Sequence, residues 1–216
     1  MAQSSFDTYN AFLLEGGLDR FTKLLCRYDL YRRVIDVPGD VVECGVFKGQ
    51  GVLYWARLIQ IFNPLSVRRV IGFDTFAGVP ESVQGELDRA WSASFHGYTN
   101  VPEQVAEAAS ALGLLSVIEL VAGDASVTMP EYVRTRPGFR IALLNLDFDV
   151  YEPTLAALDA LYDRVVGGGV VLLDEYAVPT WGESNAVDEF LKGKGIALKT
   201  MPWALSPTAY FVKPLC

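Results

Sequence analysis

Five short apolar runs, each ending on or beside a carboxylate, are spread along this chain. They lie at 40–44 (Glu43), 70–74 (Asp74), 116–122 (then Asp124), 140–147 (Asp147, then Asp149) and 170–174 (Asp174, then Glu175). Helix-patterned stretches separate or follow them at 51–61, 101–112, 125–134, 153–165 and 185–192. Strands alternating with helices predict an α/β fold with a mostly parallel sheet covered on both faces. Two last runs, 196–201 and 209–213, flank a short proline-containing turn and are expected to pair antiparallel, for seven strands in all. Residues 9–35 read as one or two amphipathic helices ahead of a turn at Pro38-Gly39-Asp40. The expected organisation is an N-terminal helical segment, 1–36, followed by one α/β domain, 37–216. The stretch 75–101 is too long for an ordinary connector and carries Phe76, Trp91, Phe95 and Tyr98. Such segments are commonly lids or ligand contacts.

In an open parallel sheet, ligands bind beyond the carboxyl ends of the strands. All five apolar runs deliver an acid to that edge. The first leads through Glu43-Cys44-Gly45-Val46-Phe47-Lys48-Gly49-Gln50-Gly51 into a helix, and glycine lets backbone approach a ligand closely. The spacing G-x-x-x-G-x-G fits the dinucleotide fingerprint poorly. An acid just before the turn suits a ligand with a cationic or hydroxyl-rich end, which points to S-adenosylmethionine before NAD. Asp74 is placed either to accept from ribose hydroxyls or to cap the loop at Thr75. Asp124 is placed either at an adenine amino group or as the cap of the helix at Ala125.

Asp147, Asp174 and Glu175 sit on neighbouring strands. Clustered acids repel one another unless protonated or bound to a cation, and oxygen-only ligands suit magnesium or calcium. The alternative is one buried acid paired with an arginine, beside surface acids. Tyr28, Trp91, His96, Tyr151 and Tyr176 are candidate contacts for an acceptor molecule, although core packing also uses such rings.

The formal charge of −8, with no basic run beyond Arg32-Arg33 and Arg68-Arg69, disfavours nucleic acid as a partner. No apolar run reaches membrane-spanning length, and no signal peptide is evident. Cys26, Cys44 and Cys216 have no metal-ligand spacing, and their odd number fits a reducing cytoplasm. The single histidine leaves Ser–His or Cys–His catalysis to His96 alone.

Five stretches resemble the macrocin O-methyltransferase family. They are Val37-Pro-Gly-Asp-Val-Val-Glu-Cys-Gly-Val-Phe-Lys-Gly, Gly72-Phe-Asp-Thr-Phe-Ala-Gly-Val-Pro, Leu146-Asp-Phe-Asp-Val-Tyr-Glu-Pro-Thr, Gly167-Gly-Gly-Val-Val-Leu-Leu-Asp-Glu-Tyr and Ala186-Val-Asp-Glu-Phe. The resemblance implies a class I methyltransferase fold, Rossmann-like and seven-stranded with an antiparallel last strand. It implies magnesium-assisted transfer of a methyl group to a sugar or other natural-product hydroxyl, with a vicinal diol the expected acceptor. Carried across, it places S-adenosylmethionine against Glu43, Cys44, Gly45, Lys48, Gly49, Gly51, Asp74, Thr75, Phe76, Gly123, Asp124 and Asp147. It places the metal on Asp147, Asp174 and Glu175, and the general base at Asp147 or Asp149. Relatives often form oligomers through N-terminal helices, and Leu13, Leu14, Leu24 and Leu25 permit this. Two positions depart from the family pattern: Glu175 stands where an aspartate is usual, and Phe148 where glycine is frequent. A metal-independent N- or O-methyltransferase and a non-catalytic cofactor-binding module remain the alternatives.

Overall fold

The central strand β4 (Ile141–Leu146) is buried along its whole length, as a near-continuous apolar run between two helical layers must be. In this computed structural model, which describes residues 2–78, 80, 82–94 and 100–215, β4 lies between β1 (Asp40–Cys44) and β5 (Val165–Leu173). Adding β2 (Val70–Asp74), β3 (Ile118–Ala122) and β6 (Ala209–Val212) gives the order β3-β2-β1-β4-β5-β6. All pairs are parallel except β5–β6.

Alternate strand residues face opposite layers because the side-chain period is two. Val41, Val70, Leu143 and Val170 pack against Cys26, Leu30 and Tyr31 of α2 (Leu18–Arg32), Trp55 and Ile59 of α3 (Gln50–Phe62), and Val105 of α5 (Val101–Ala111). Their neighbours Val42, Ile71, Leu144 and Val171 face the other way. They meet Met129 and Tyr132 of α6 (Ala125–Thr135), Leu158 of α7 (Tyr151–Leu161) and Val187 of α8 (Glu183–Leu191). The N-terminal helix α1 (Ala2–Glu15) leaves Phe6, Leu13 and Leu14 exposed.

Six strands, not seven, are present among the described residues. The stretch 196–201 makes a single bridge, in which Lys199 and Tyr210 exchange two backbone hydrogen bonds of 2.8 Å. Gly193 and Gly195, both at positive φ, turn the chain just before it, and Ile196 and Leu198 tuck against the core instead of extending a ladder. The stretch 75–101 is not irregular throughout, because it holds α4 (Glu86–Ser94). Buried Asp88 of α4 accepts from the backbone N–H of Tyr151 at 2.8 Å and of Gly182 at 3.0 Å. Glu152 accepts from Gln84 N–H at 2.8 Å. Residues 84–88 are thus pinned over the start of α7. Strand order reverses between β1 and β4, and a crevice opens there at the carboxyl edge.

Candidate active site

Gly45 follows β1 at φ +93, and a Cβ there would lie 1.9 Å from the carbonyl oxygen of Asp147. Only glycine lets the ends of β1 and β4 approach this closely. Gly51, at the start of α3, makes room for Glu43: a Cβ would fall 1.7 Å from Glu43 Oε1. Across the turn, Asp74 Oδ2 accepts from the N–H groups of Val46 (2.9 Å) and Phe47 (3.0 Å), and Oδ1 from that of Phe76 (2.8 Å). One carboxylate therefore fastens the loop after β1 to the loop after β2.

A cavity of about 850 Å³ occupies the crevice. Of the residues expected from sequence, Glu43, Gly45, Lys48, Gly51, Asp74, Thr75, Phe76, Gly123, Asp147, Asp149, Asp174 and Glu175 line it. Its aromatic walls are Phe47, Phe76, Phe148 and Trp181. The structure places several expected residues elsewhere. Cys44 points into the core beneath the sheet, where burial pushes its thiol well up. Gly49, at φ +83, precedes the first turn of α3 but does not line the cavity. Asp124 caps α6, accepting from Ser126 N–H (2.9 Å) and Oγ–H (2.7 Å). Tyr28 packs on Phe62 with ring centroids 5.8 Å apart. The hydroxyls of Tyr151 and Tyr176 donate to Glu189 and Asp188 on α8, away from the cavity. The side chain of Trp91 and the whole of His96 lie outside the described residues.

Two residues that sequence reasoning missed dominate the electrostatics. Lys23 Nζ donates to Asp174 Oδ2 at 2.7 Å and to Asp147 Oδ2 at 3.3 Å. Arg27 donates to Asp147 Oδ2 at 2.9 Å and lies 3.9 Å from Glu43 Oε1, its guanidinium 5.5 Å from the Trp55 ring centroid. A signal for both existed. Positions 23, 26, 27, 30 and 31 form one helical stripe, and Cys26, Leu30 and Tyr31 mark it as the buried face. Two cations on such a face require acidic partners.

The acids respond unequally. Burial pushes the Glu43 carboxyl up to about 7, against the pull of Arg27 and Lys23. Burial and the Asp174 charge push Glu175 up to about 8. Burial, reinforced by the Asp174 charge, also moves Asp147 upward. Burial would raise Asp174 too, but Lys23 and Arg27, with hydrogen bonds from Lys23 and Ser206, hold it below the usual range. Asp174 is the acid that the two cations stabilise most, and burial pulls its neighbours the other way.

This arrangement does not fit the magnesium site expected on Asp147, Asp174 and Glu175. An ammonium already bridges the first two. Among the described residues, no three acid, histidine or cysteine side chains converge on a point where a metal ion would be held.

Comparison with known proteins agrees with the geometry. The model of a family described as macrocin-O-methyltransferase (TylF) matches residues 20–204. A tetracenomycin-C 4'-O-methyltransferase from Streptomyces olivaceus, whose full name specifies an 8-demethyl-8-(2,3-dimethoxy-alpha-L-rhamnosyl) compound, is 35% identical over 66% of this chain and 54% of its own. Mycinamicin III 3''-O-methyltransferase from Micromonospora griseorubida is 30% identical over 74% of this chain and 63% of its own. The chain thus spans between about half and two thirds of the length of these relatives. Among solved structures, the calicheamicin methyltransferase CalS11 superposes with a TM-score of 0.86 at 32% identity, covering 96% of this chain and 85% of that one. The O-methyltransferase NovP gives 0.76 at 26% identity, covering 89% and 80%. The parallel sheet with its antiparallel last strand is the class I methyltransferase fold of these neighbours, and the chain belongs to the macrocin O-methyltransferase family.

Proposed function

We propose that this protein is an S-adenosylmethionine-dependent O-methyltransferase acting on a hydroxyl of a sugar or related natural product. The observation that carries this reading is the continuous cavity running from the Gly45 turn and Asp74 to the acids that end β4 and β5. Its two ends differ chemically, as a two-substrate transfer site requires. The names of the family relatives, all O-methyltransferases of natural-product compounds, support the same reaction class.

S-adenosylmethionine supplies an electrophilic sulfonium methyl when bound. Asp74 has lone-pair capacity beyond its three backbone donors and accepts from the ribose hydroxyls. Glu43 and the close-packed turn at Gly45 and Gly51 set the depth of the pocket. Asp147 or Asp149 receives the proton from the acceptor hydroxyl; Asp147 acts in its ionised form, held between Lys23 and Arg27. Phe47, Phe76, Phe148 and Trp181 form the flat apolar walls on which a sugar ring packs. From the stretch after β2, Thr75, Phe76 and Pro80 close one side of the cavity. Lys23 and Arg27, not magnesium, hold Asp147 and Asp174. Self-association through α1 belongs to the same proposal, supported by exposed Phe6, Leu13 and Leu14. A cytoplasmic setting is supported by free, buried Cys26 and Cys44. Among the described residues, no helix is long and apolar enough to cross a membrane.

Calorimetric titration with S-adenosylhomocysteine tests the cofactor assignment. Wild type binds it, and Asp74→Ala loses at least tenfold in affinity. Absence of binding to a folded wild type would sink the methyltransferase reading.

A further inference from the structure

We propose that Lys23 is the resident cation of the acid cluster. Its ammonium fills the place at which Asp147 and Asp174 would otherwise share a divalent ion, so this chain binds no divalent ion there. The inference draws on the methyltransferase reading only for its catalytic consequence, transfer without added metal.

The geometry is specific. Asp147 follows β4 and Asp174 follows β5, two adjacent parallel strands, so their carboxylates emerge side by side at the carboxyl edge. One nitrogen, Lys23 Nζ, lies 2.7 Å from Asp174 Oδ2 and 3.3 Å from Asp147 Oδ2. That nitrogen bridges the two strands between the same pair of Oδ2 atoms a shared cation would use. One helical turn on, Arg27 approaches the same acids, at 2.9 Å from Asp147 Oδ2 and 3.8 Å from Asp174 Oδ1. A dication would therefore meet two fixed positive charges as well as its ligands.

Magnesium also demands near-octahedral oxygen coordination at about 2.0–2.1 Å. Asp174 Oδ2 and Asp147 Oδ2 instead accept from an ammonium and a guanidinium at hydrogen-bond lengths of 2.7–3.3 Å.

Lys23 is not on a swinging tail. Its helix is anchored by Cys26, Leu30 and Tyr31, each fully buried, and by Tyr54 O–H donating to the Leu24 carbonyl at 2.7 Å. The cation is thus built into the fold from outside the sheet. An ammonium has three donors, Lys23 lines the cavity, and among the described residues it donates only to Asp147 and Asp174, so its third N–H can meet a bound oxygen. That gives Lys23 the orienting part of a metal ion's role without the metal.

The test is manganese binding to the protein without cofactor or acceptor, read by the loss of free-ion electron paramagnetic resonance signal after exhaustive chelation and dialysis. Wild type is expected to leave millimolar Mn²⁺ free. Lys23→Met is expected to take up one Mn²⁺ per chain and to gain thermal stability from it. Lys23→Met combined with Asp174→Asn should lose that site. Stoichiometric Mn²⁺ binding by wild type that Asp147→Asn abolishes would overturn the proposal, and this arm holds even if Lys23→Met does not fold. A folded Lys23→Met that binds no Mn²⁺ would overturn it too. Because the readout needs neither cofactor nor methyl transfer, failure here is separable from failure to bind S-adenosylhomocysteine.

Discussion

Arg27→Met should weaken the fold in a pH-dependent way. Arg27 is 3% exposed and faces three acids, so its removal leaves buried carboxylate charge without its partner. Breaking one side of a buried ion pair costs about 3–5 kcal/mol. Lys23 continues to hold Asp174, so the burden falls on Glu43 and Asp147. Both have raised folded-state values, Glu43 from the ordinary 4.5 to about 7. A carboxyl raised on folding binds its proton more tightly in the native state. In wild type its contribution to stability is therefore greatest below pH 4.5 and is lost as pH rises towards 7. For Glu43 that loss is about 3 kcal/mol, at about 1.4 kcal/mol per unit. Without Arg27 the folded value rises further and the declining window extends above pH 7. The variant is expected to cost about 3–5 kcal/mol at pH 8 but only about 1–2 kcal/mol at pH 5.5, where protonation removes the stranded charge. Urea unfolding at the two pH values, with Glu43→Gln as second arm of a double-mutant cycle, measures this. An equal cost at both pH values, or zero coupling between positions 27 and 43, would refute the account.

Gly51→Ala forces a methyl against the Glu43 carboxylate and should lower stability by about 1–3 kcal/mol, read as a drop in melting temperature. A melting temperature equal to that of wild type would show that Glu43 moves aside freely. Asp88→Ala removes the acceptor shared by Tyr151 N–H and Gly182 N–H, at about 1.5–3 kcal/mol for each bond to a charged group. Limited proteolysis should then cut near α4 several-fold faster, with little change where α2 meets the sheet. Unchanged cleavage would mean the segment is held by other contacts.

Much of the carboxyl edge was legible in the chain itself. Periodicity placed β1 to β4, β6 and the second half of β5, because a two-faced apolar run such as Ile141–Leu146 has few other ways to be buried; β5 begins at Val165, where the sequence read the end of a helix and a glycine turn. The strand-end acids followed from the same register, and Glu43, Asp74, Asp147 and Asp174 line the cavity. Tyr28, Tyr151 and Tyr176 were a different matter. A ring near a loop in sequence carries no direction, and local partners drew each of these away from the cavity. The stretch 196–201 alternates like a strand, yet outside a fully paired position a single bridge to Tyr210 is all it makes.

What the sequence by itself determined is the alternation of strands and helices, the glycine turn after β1 and the row of acids along one edge. These rest on patterns of neighbouring residues and on backbone sterics, which are local. What neutralises those acids was decided only by the tertiary structure. Lys23 and Arg27 lie more than 100 positions from Asp147 and reach it because α2 packs across the face of the sheet. An acid cluster in a sequence states only that positive charge is needed. Whether a side chain or a bound ion supplies it depends on which helix the fold lays across the strand ends.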